Sequence, residues 1–255
     1  MEFLNIEKVK NISSIGGGPI GGGWTAFFLS KGYNVKSYLH EPKEKKMFMK
    51  IVRTAWKSLK KLGLTKNASL NNLSVVCDLK KSLEGSHFVQ ESAPEKLELK
   101  QDLYYEMGEI LPKNIIISSS TSGFMMTDIQ KKCNSPERTI IGHPFNPPYI
   151  LPLVEIVGGQ KSSKLAVEWA YDFYKSSGKE PLKLKKEIPG FVATRLQEAL
   201  WREALHMVDN GEASPEDIDI ALINGPAPRM VIQGQCMAFH VACGEGGMAT
   251  NLDQF

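Results

Sequence analysis

Short apolar runs rich in β-branched residues alternate with longer amphipathic stretches from residue 9 to about residue 186. Runs of this kind are typical of buried strands, whereas apolar residues that recur every three or four positions are typical of helices. The alternation therefore predicts β-α-β units and a mostly parallel sheet covered by helices. The predicted strands are residues 9–15, 33–39, 73–77, 88–91, 115–119, 139–141 and 153–157, and the predicted helices are residues 44–62, 97–110 and 164–177.

The pattern changes near residue 190, because apolar residues then follow a helical period over residues 191–208 and no further strand is indicated. Ser214, followed by a proline and two acids, predicts the start of another helix. A glycine- and proline-rich break at residues 224–228 precedes a last apolar segment. We expect an α/β domain over residues 1–188 and a smaller all-α domain over residues 189–255.

The composition favours a globular protein that acts on a small molecule. Of the 255 residues 42% are hydrophobic, and the net charge of +3 reflects 31 basic and 28 acidic residues, a balance that argues against nucleic acid as a partner. No apolar run is long enough to span a membrane, and the N-terminus lacks the apolar core of a signal peptide, so we expect a cytoplasmic protein. The four cysteines lack the spacing of a zinc site, and no metal is expected.

A glycine-rich turn follows the first predicted strand at residues 15–21. It contains the G-x-G-x-x-G pattern between a strand and a helix, the context in which this pattern binds the pyrophosphate of a dinucleotide. Two further glycines, Gly22 and Gly23, follow inside the helix and weaken it, and crowding against the cofactor or a strand is the one reason we find for them. The expected cofactor contacts in the turn are Gly16, Gly18, Pro19, Ile20 and Gly21.

The acid that usually binds the adenosine ribose should end the second strand, about 20 residues further on. Leu39 stands at that position. Glu41 is the nearest acid able to take its place, whereas His40 and Lys43 would suit the 2′-phosphate of NADP. NAD is the expected cofactor, and the sequence leaves NADP open.

His143 is flanked by glycine and proline residues, which predict an irregular loop at the carboxyl end of a strand, where ligands bind in sheets of this type. Histidine titrates near neutral pH and can take the hydroxyl proton of a secondary alcohol as hydride leaves the carbon. Glu155, an acid within an apolar strand, is expected to hold the other ring nitrogen. The alternative is an edge-strand glutamate that faces water. Residues 118–123 form a polar turn whose hydroxyls suit a substrate oxygen.

Together these segments resemble the 3-hydroxyacyl-CoA dehydrogenase superfamily over essentially the whole chain. The serine, histidine and glutamate of that family correspond to Ser122, His143 and Glu155, which are separated by 21 and 12 residues. The resemblance implies a Rossmann-type, doubly wound sheet followed by a helical domain, and an NAD-dependent dehydrogenase of a 3-hydroxy acid. It also implies that the nicotinamide and ribose side of the cofactor is lined by Glu95, Lys100 and Asn146.

Residues 89–95, 120–123, 143–147 and 196–206 most resemble the carnitine-oxidising branch of the superfamily. That resemblance implies oxidation of the 3-hydroxyl of L-carnitine to 3-dehydrocarnitine. A 3-hydroxyacyl-CoA such as 3-hydroxybutyryl-CoA, or another 3-hydroxy acid, is the alternative substrate, and a non-catalytic, crystallin-like role is the third hypothesis. Thr194 stands where acyl-CoA members carry an asparagine. The quaternary ammonium of carnitine binds aromatic faces, for which Phe145 and Trp201 are candidates.

The resemblance also bears on assembly. The helical domain of the family normally continues for several more helices, so the second domain here is expected to be curtailed or incomplete. Those helices commonly form a dimer interface in related enzymes. We therefore expect a homodimer, provided that the helices present in this chain suffice for the interface.

Overall fold

The computed structural model describes residues 2–254 of the chain. These residues form two compact units, of which the first ends at Thr194 and the second begins at Arg195. The domain boundary predicted between residues 188 and 189 stays a prediction. Within the described range, no helix combines the length and the hydropathy that a membrane crossing requires.

The described part of the first unit is built on a sheet of eight strands. In chain order these are β1 (Asn11–Ile15), β2 (Asn34–Tyr38), β3 (Leu73–Val76), β4 (Phe88–Glu91), β5 (Ile116–Ser119), β6 (Thr139–Pro144), β7 (Leu153–Gly158) and β8 (Glu180–Lys183). Their order across the sheet is β3-β2-β1-β4-β5-β6-β7-β8, and all neighbours are parallel except β6 and β7. The order in which successive strands are added to the sheet reverses between β1 and β4. At such a point a ligand crevice forms at the carboxyl ends of the strands. The predicted doubly wound, mostly parallel sheet is confirmed.

Helices cover both faces of this sheet. Neighbouring residues of the central strands, such as Phe88 and Val89, belong to different hydrophobic clusters, because successive side chains of a strand point to opposite faces. The helices are α1 (Pro19–Ser30), α2 (Lys45–Leu62), α3 (Leu79–Leu83), α4 (Leu97–Ile110), α5 (Met126–Ile129) and α6 (Lys164–Ser176). Helices α1, α2 and α6 contribute to one cluster, and α3, α4 and α5 contribute to the other.

Two features of the sheet differ from the prediction. Strand β6 continues to Pro144, so His143 lies within a strand and not in the irregular loop that the neighbouring prolines indicate; antiparallel pairing with β7 holds this part of the chain extended. Strand β8 is not indicated by the sequence pattern, because it is short and contains Pro181. It lies at the edge of the sheet, where a proline is tolerated because one side of the strand needs no hydrogen bonds.

The second unit is helical. Helix α7 (Ala193–Asp209) begins at the end of the first unit and is followed by α8 (Pro215–Asn224), α9 (Pro226–Ala242) and α10 (Gly247–Gln254). At the start of α8, the side chains of Ser214 and Asp217 cap each other's backbone N–H groups, which confirms the predicted helix start. Helix α9 is interrupted at Gly234, whose φ of +68° is not helical.

Candidate active site

The glycine-rich turn joins the end of β1 to the start of α1. Gly16 has a φ of +114°, which L side chains rarely adopt, and a Cβ there would collide with the carbonyl oxygen of Ser92. A Cβ on Gly21 would collide with the carbonyl oxygen of Gly16, because α1 packs directly on the turn. Both positions therefore require glycine, in agreement with the predicted dinucleotide-binding turn.

The N-terminus of α1 is open and uncapped. Gly18 is its N-cap residue, no side chain caps the helix, and nothing lies within 4 Å of the position that a Cβ on Gly18 would occupy. The first turn carries no acidic residue, and Pro19 has no N–H that would need a partner. Free amides at the positive end of a helix dipole bind phosphate groups. These residues therefore fit the pyrophosphate of a dinucleotide.

The adenosine side of the turn departs from the usual arrangement. Leu39 is fully buried, and its Cδ2 lies 2.6 Å from the position that a Cβ on Gly17 would take, so it fills the space against the turn. Glu41 pairs with Lys43, whose hydrogen bond and charge lower the pKa of Glu41. Glu44 has its Oε2 3.4 Å from the same Gly17 position. Sequence reasoning misses Glu44 because the usual rule points to the strand end, whereas Glu44 immediately precedes helix α2.

His143 and Glu155 face each other across strands β6 and β7. They are register partners of the antiparallel pair, so both side chains project from one face of the sheet. His143 Nδ1 lies 2.9 Å from Glu155 Oε2, and the two side chains are 8% and 0% exposed. The structure thus brings together the two residues that the sequence pairs. The alternative, an edge-strand glutamate that faces water, is wrong. Strand β7 lies between β6 and β8, and the Glu155 side chain is buried.

The second carboxylate oxygen of Glu155 is also engaged. Its Oε1 accepts hydrogen bonds from the backbone N–H groups of Val192 and Ala193, each at 2.9 Å. Phe191, with a φ of +51°, lies in the turn that leads to these two amides. Burial raises the pKa of Glu155, but the hydrogen bonds from His143, Ala193 and Val192 outweigh burial and bring the pKa below its usual value. Glu155 is therefore ionised at neutral pH.

His143 keeps one ring nitrogen available. Because an ionised carboxylate only accepts hydrogen bonds, Nδ1 carries a proton, and in the neutral form of the imidazole Nε2 therefore has a free lone pair. Over residues 2–254, Nε2 has no hydrogen-bond partner. The ring centroids of Phe145 and Phe191 lie 5.4 and 5.3 Å from that of His143 and keep the imidazole largely dry. Such a nitrogen can accept the proton of a nearby hydroxyl group.

A buried ion pair supports the turn that carries Ser122. Lys100 Nζ lies 2.7 Å from Glu91 Oε1 and 3.4 Å from Glu95 Oε2, and its side chain is 1% exposed. Glu95 Oε1 accepts hydrogen bonds from the preceding threonine hydroxyl and, at 3.3 Å, from Ser122 N. Lys100 therefore holds Glu95, and Glu95 holds the turn. Because β5 and β6 are adjacent parallel strands, this turn and His143 lie at the same edge of the sheet.

The remaining predicted residues have fewer contacts. Asn146 is exposed and follows the end of β6 by two residues. Thr194 directly follows an amide bound to Glu155, at the start of α7, and Trp201 lies farther along α7, in the second unit, with 57% of its surface exposed. In the part of the chain that the structure describes, no hydrogen bond joins Ser122 to His143.

Family models match both halves of the chain. The model described as 3-hydroxyacyl-CoA dehydrogenase, NAD binding domain, matches residues 11–188, and the model described as 3-hydroxyacyl-CoA dehydrogenase, C-terminal domain, matches residues 190–250. Among the curated relatives, L-carnitine dehydrogenase of Nocardiopsis dassonvillei is 48% identical over 249 residues, which cover 98% of this chain and 76% of the relative.

Solved structures share the fold. The structure of 5-formyl-3-hydroxy-2-methylpyridine 4-carboxylic acid 5-dehydrogenase, an NAD⁺-dependent dismutase, matches with a TM-score of 0.88 and 29% identity over 97% of this chain and 80% of that one. The 3-hydroxybutyryl-CoA dehydrogenase of Escherichia coli K12 matches with a TM-score of 0.78 and 29% identity over 88% of this chain and 47% of that one. The chain therefore belongs to the 3-hydroxyacyl-CoA dehydrogenase family and is an NAD-dependent dehydrogenase.

Proposed function

We propose that the protein oxidises the 3-hydroxyl group of L-carnitine to the keto group of 3-dehydrocarnitine, with NAD as the hydride acceptor. The observation that carries the proposal is the 48% identity to the L-carnitine dehydrogenase of N. dassonvillei over 98% of the chain. The His143–Glu155 pair offers the base that such an oxidation needs. We place the activity in the cytoplasm, where NAD is at hand and the cysteines stay reduced.

In the proposed reaction the alcohol loses a proton from oxygen and a hydride from carbon. His143 Nε2 accepts the hydroxyl proton, and the Glu155 carboxylate stabilises the imidazolium that forms. Ser122 donates a hydrogen bond to the substrate oxygen as it becomes a carbonyl. When bound, NAD supplies the nicotinamide ring that accepts the hydride. The two phenylalanine rings beside His143 exclude water from the proton transfer.

The proposed cofactor contacts lie at both ends of the crevice. Glu95 and Asn146 line the nicotinamide and ribose side, and Lys100, which is buried against Glu91 and Glu95, acts by holding Glu95 in place. The contacts proposed for the pyrophosphate are Gly16, Gly18, Pro19, Ile20 and Gly21.

Carnitine carries a carboxylate and a quaternary ammonium, and the ammonium needs an aromatic face because it cannot donate hydrogen bonds. Cation–π attraction contributes about 0.5 to 2 kcal/mol per ring. Phe145, whose ring lies against His143, is the face that we propose in the first unit. The aromatic face of Trp201, in the second unit, stays a prediction from the sequence. Thr194 presents a single hydroxyl in place of a two-ended amide, which favours a substrate other than an acyl-CoA.

Turnover assays test the proposed substrate. With NAD and millimolar L-carnitine, we expect steady NADH formation measured by absorbance. The second candidate is 3-hydroxybutyryl-CoA, because the E. coli enzyme named for it shares the fold at 29% identity. Oxidation of 3-hydroxybutyryl-CoA in the absence of any L-carnitine turnover would overturn our proposal in favour of the acyl-CoA substrate. A folded protein that oxidises neither compound contradicts both assignments.

We propose that Glu44 takes the place of Glu41 as the ligand of the adenosine ribose, since its carboxylate lies beside Gly17. Replacing Glu44 with glutamine is expected to raise the dissociation constant of NADH about tenfold, because a hydrogen bond to a charged acceptor is weakened. A fluorescence titration with NADH measures the effect. Glu41→Gln is the matched control, since Glu41 pairs with Lys43 at the surface. A larger effect of Glu41→Gln would reinstate the expectation from the sequence.

We also propose that two copies associate through the second unit. Its helices expose large apolar side chains, and Val231 and Ile232 are 87% and 86% exposed. Apolar surface of this kind marks interaction sites. Light scattering at micromolar concentration should give twice the chain mass of 28.3 kDa. The double variant Val231→Asp, Ile232→Asp should give the single mass, and a single mass for the unchanged protein would contradict the dimer.

A further inference from the structure

Lys179 is a buried lysine that the proposed reaction does not use. It stands between helix α6 and strand β8 and is 4% exposed. Its Nζ donates hydrogen bonds to the carbonyl oxygen of Pro148 and, at 2.9 Å, to that of Leu151. The same atom lies 4.2 Å from the ring centroid of Phe27 and 5.0 Å from that of Trp24. Within residues 2–254, no carboxylate pairs with it.

The surroundings of Lys179 oppose its charge. Burial, together with the charge of Lys31, lowers the pKa of Lys179 to about 7. The protonated amine carries three hydrogens and the neutral amine carries two, so both forms can donate to Pro148 and Leu151 at once. A buried lysine with two backbone carbonyls as its partners therefore fastens the segment that supplies those carbonyls.

The fastened segment, residues 145–151, connects the candidate base to the cofactor-binding helix. It follows directly after β6, which carries His143. Pro148 packs on Gly23 of helix α1, where a Cβ would lie 2.6 Å from Pro148 Cγ and 2.8 Å from Cδ. The N-terminus of α1 forms the pyrophosphate cradle, and the two aromatic rings next to Lys179 belong to the same helix. The contact with Pro148 also explains why position 23 is a glycine.

We propose that Lys179 is a positioning residue, which clamps the 145–151 segment to helix α1 and so fixes the separation between His143 and the bound cofactor. The proposal rests on the proposed function and deepens it. The proton and the hydride leave neighbouring atoms of one substrate, so base and nicotinamide must be held at a set distance. Glu155 orients the imidazole ring from β7, and the clamp ties the chain beyond His143 to the helix that carries the cofactor.

The variant Lys179→Met tests the clamp, because methionine keeps an apolar stem but removes both hydrogen bonds. We expect kcat to fall about 10- to 100-fold, with less than about a twofold change in KM for whichever of L-carnitine and 3-hydroxybutyryl-CoA the unchanged protein oxidises. NADH affinity, measured by fluorescence titration, should fall at least about threefold, because Asn146 lies in the loosened segment. Lys175→Met, at an exposed lysine of α6 paired with Glu180, is the matched control and should change neither value.

A second variant changes the contact between helix α1 and the 145–151 segment at Gly23. Gly23→Ala places a methyl group against Pro148 and Tyr149 of the same segment and leaves the Lys179 side chain in place, and we expect it to lower kcat and NADH affinity in the same pattern. If Lys179→Met does not fold, Gly23→Ala decides alone. Values of kcat and NADH affinity within about twofold of the unchanged protein overturn the clamp. If the unchanged protein oxidises neither compound, kcat cannot be measured for any variant. The NADH titration then still tests the clamp.

Discussion

Replacing His143 with asparagine is expected to lower kcat about 10³-fold, because the variant loses the group that we propose as the base for the hydroxyl proton. Asparagine still offers an N–H to Glu155, in place of the one that His143 Nδ1 donates at 2.9 Å, so the buried carboxylate is not left without a partner. The cofactor cradle lies on other elements, and NADH affinity should therefore stay near the unchanged value. Steady-state kinetics and a fluorescence titration on the same preparation measure both quantities.

The matched control is His87→Asn. His87 directly precedes strand β4 and accepts a hydrogen bond from Lys10 N. It therefore lies at the amino ends of the strands, whereas the site lies at their carboxyl ends. We expect its kcat to match that of the unchanged protein. If His143→Asn retained more than about a tenth of the normal kcat, another group would have to be the base.

Glu155→Gln is expected to lower kcat about 10²- to 10³-fold while the fold is kept. A glutamine can still accept hydrogen bonds from the amides of Val192 and Ala193 through its oxygen, but its nitrogen then donates to His143 Nδ1. The proton of the imidazole consequently moves to Nε2, the atom that we propose as the acceptor of the substrate proton. The base is thus blocked although every heavy atom stays near its place.

Glu180→Gln, on the neighbouring strand β8, is the control for this change, since its carboxylate is 67% exposed and pairs only with Lys175 in the described part of the chain.

The pH dependence of stability gives a second measurement of the role of Glu155. Because the pKa of Glu155 is lower in the folded chain, its ionised form stabilises the fold at neutral pH, and this contribution is lost as the pH falls through the acidic range. Urea titrations should show a weaker acid dependence for Glu155→Gln, and an unchanged dependence would contradict the assignment.

Much of the fold follows from local patterns. The strands predicted near residues 9–15, 88–91 and 153–157 lie within a residue or two of those observed, because each is a short segment with β-branched or aromatic residues that ends at glycine, serine or proline turn residues. The turn at Gly16 and the start of α8 at Ser214 can also be predicted from the sequence, since each depends on residues that are close together in the chain. These features need no knowledge of distant neighbours.

The features that the sequence does not disclose depend on tertiary contacts. Strand β8 exists because β7 offers it an edge, and a proline within it hides that pairing from any pattern. His143 lies in a strand because β7 returns antiparallel beside it. Glu44 and Lys179 acquire their surroundings from Gly17 and from the 145–151 segment, which are remote in sequence.

The register of β6 and β7 determines how the imidazole of His143 is oriented. The facing positions of His143 and Glu155 follow from backbone pairing, so the orientation of the imidazole is set when the sheet forms. An imidazole oriented in this way requires little reorganisation when cofactor and alcohol bind. A slip of β7 by one residue would turn the carboxylate to the other face of the sheet and leave the imidazole without its acceptor. The orientation of the base that we propose is therefore set by strand pairing.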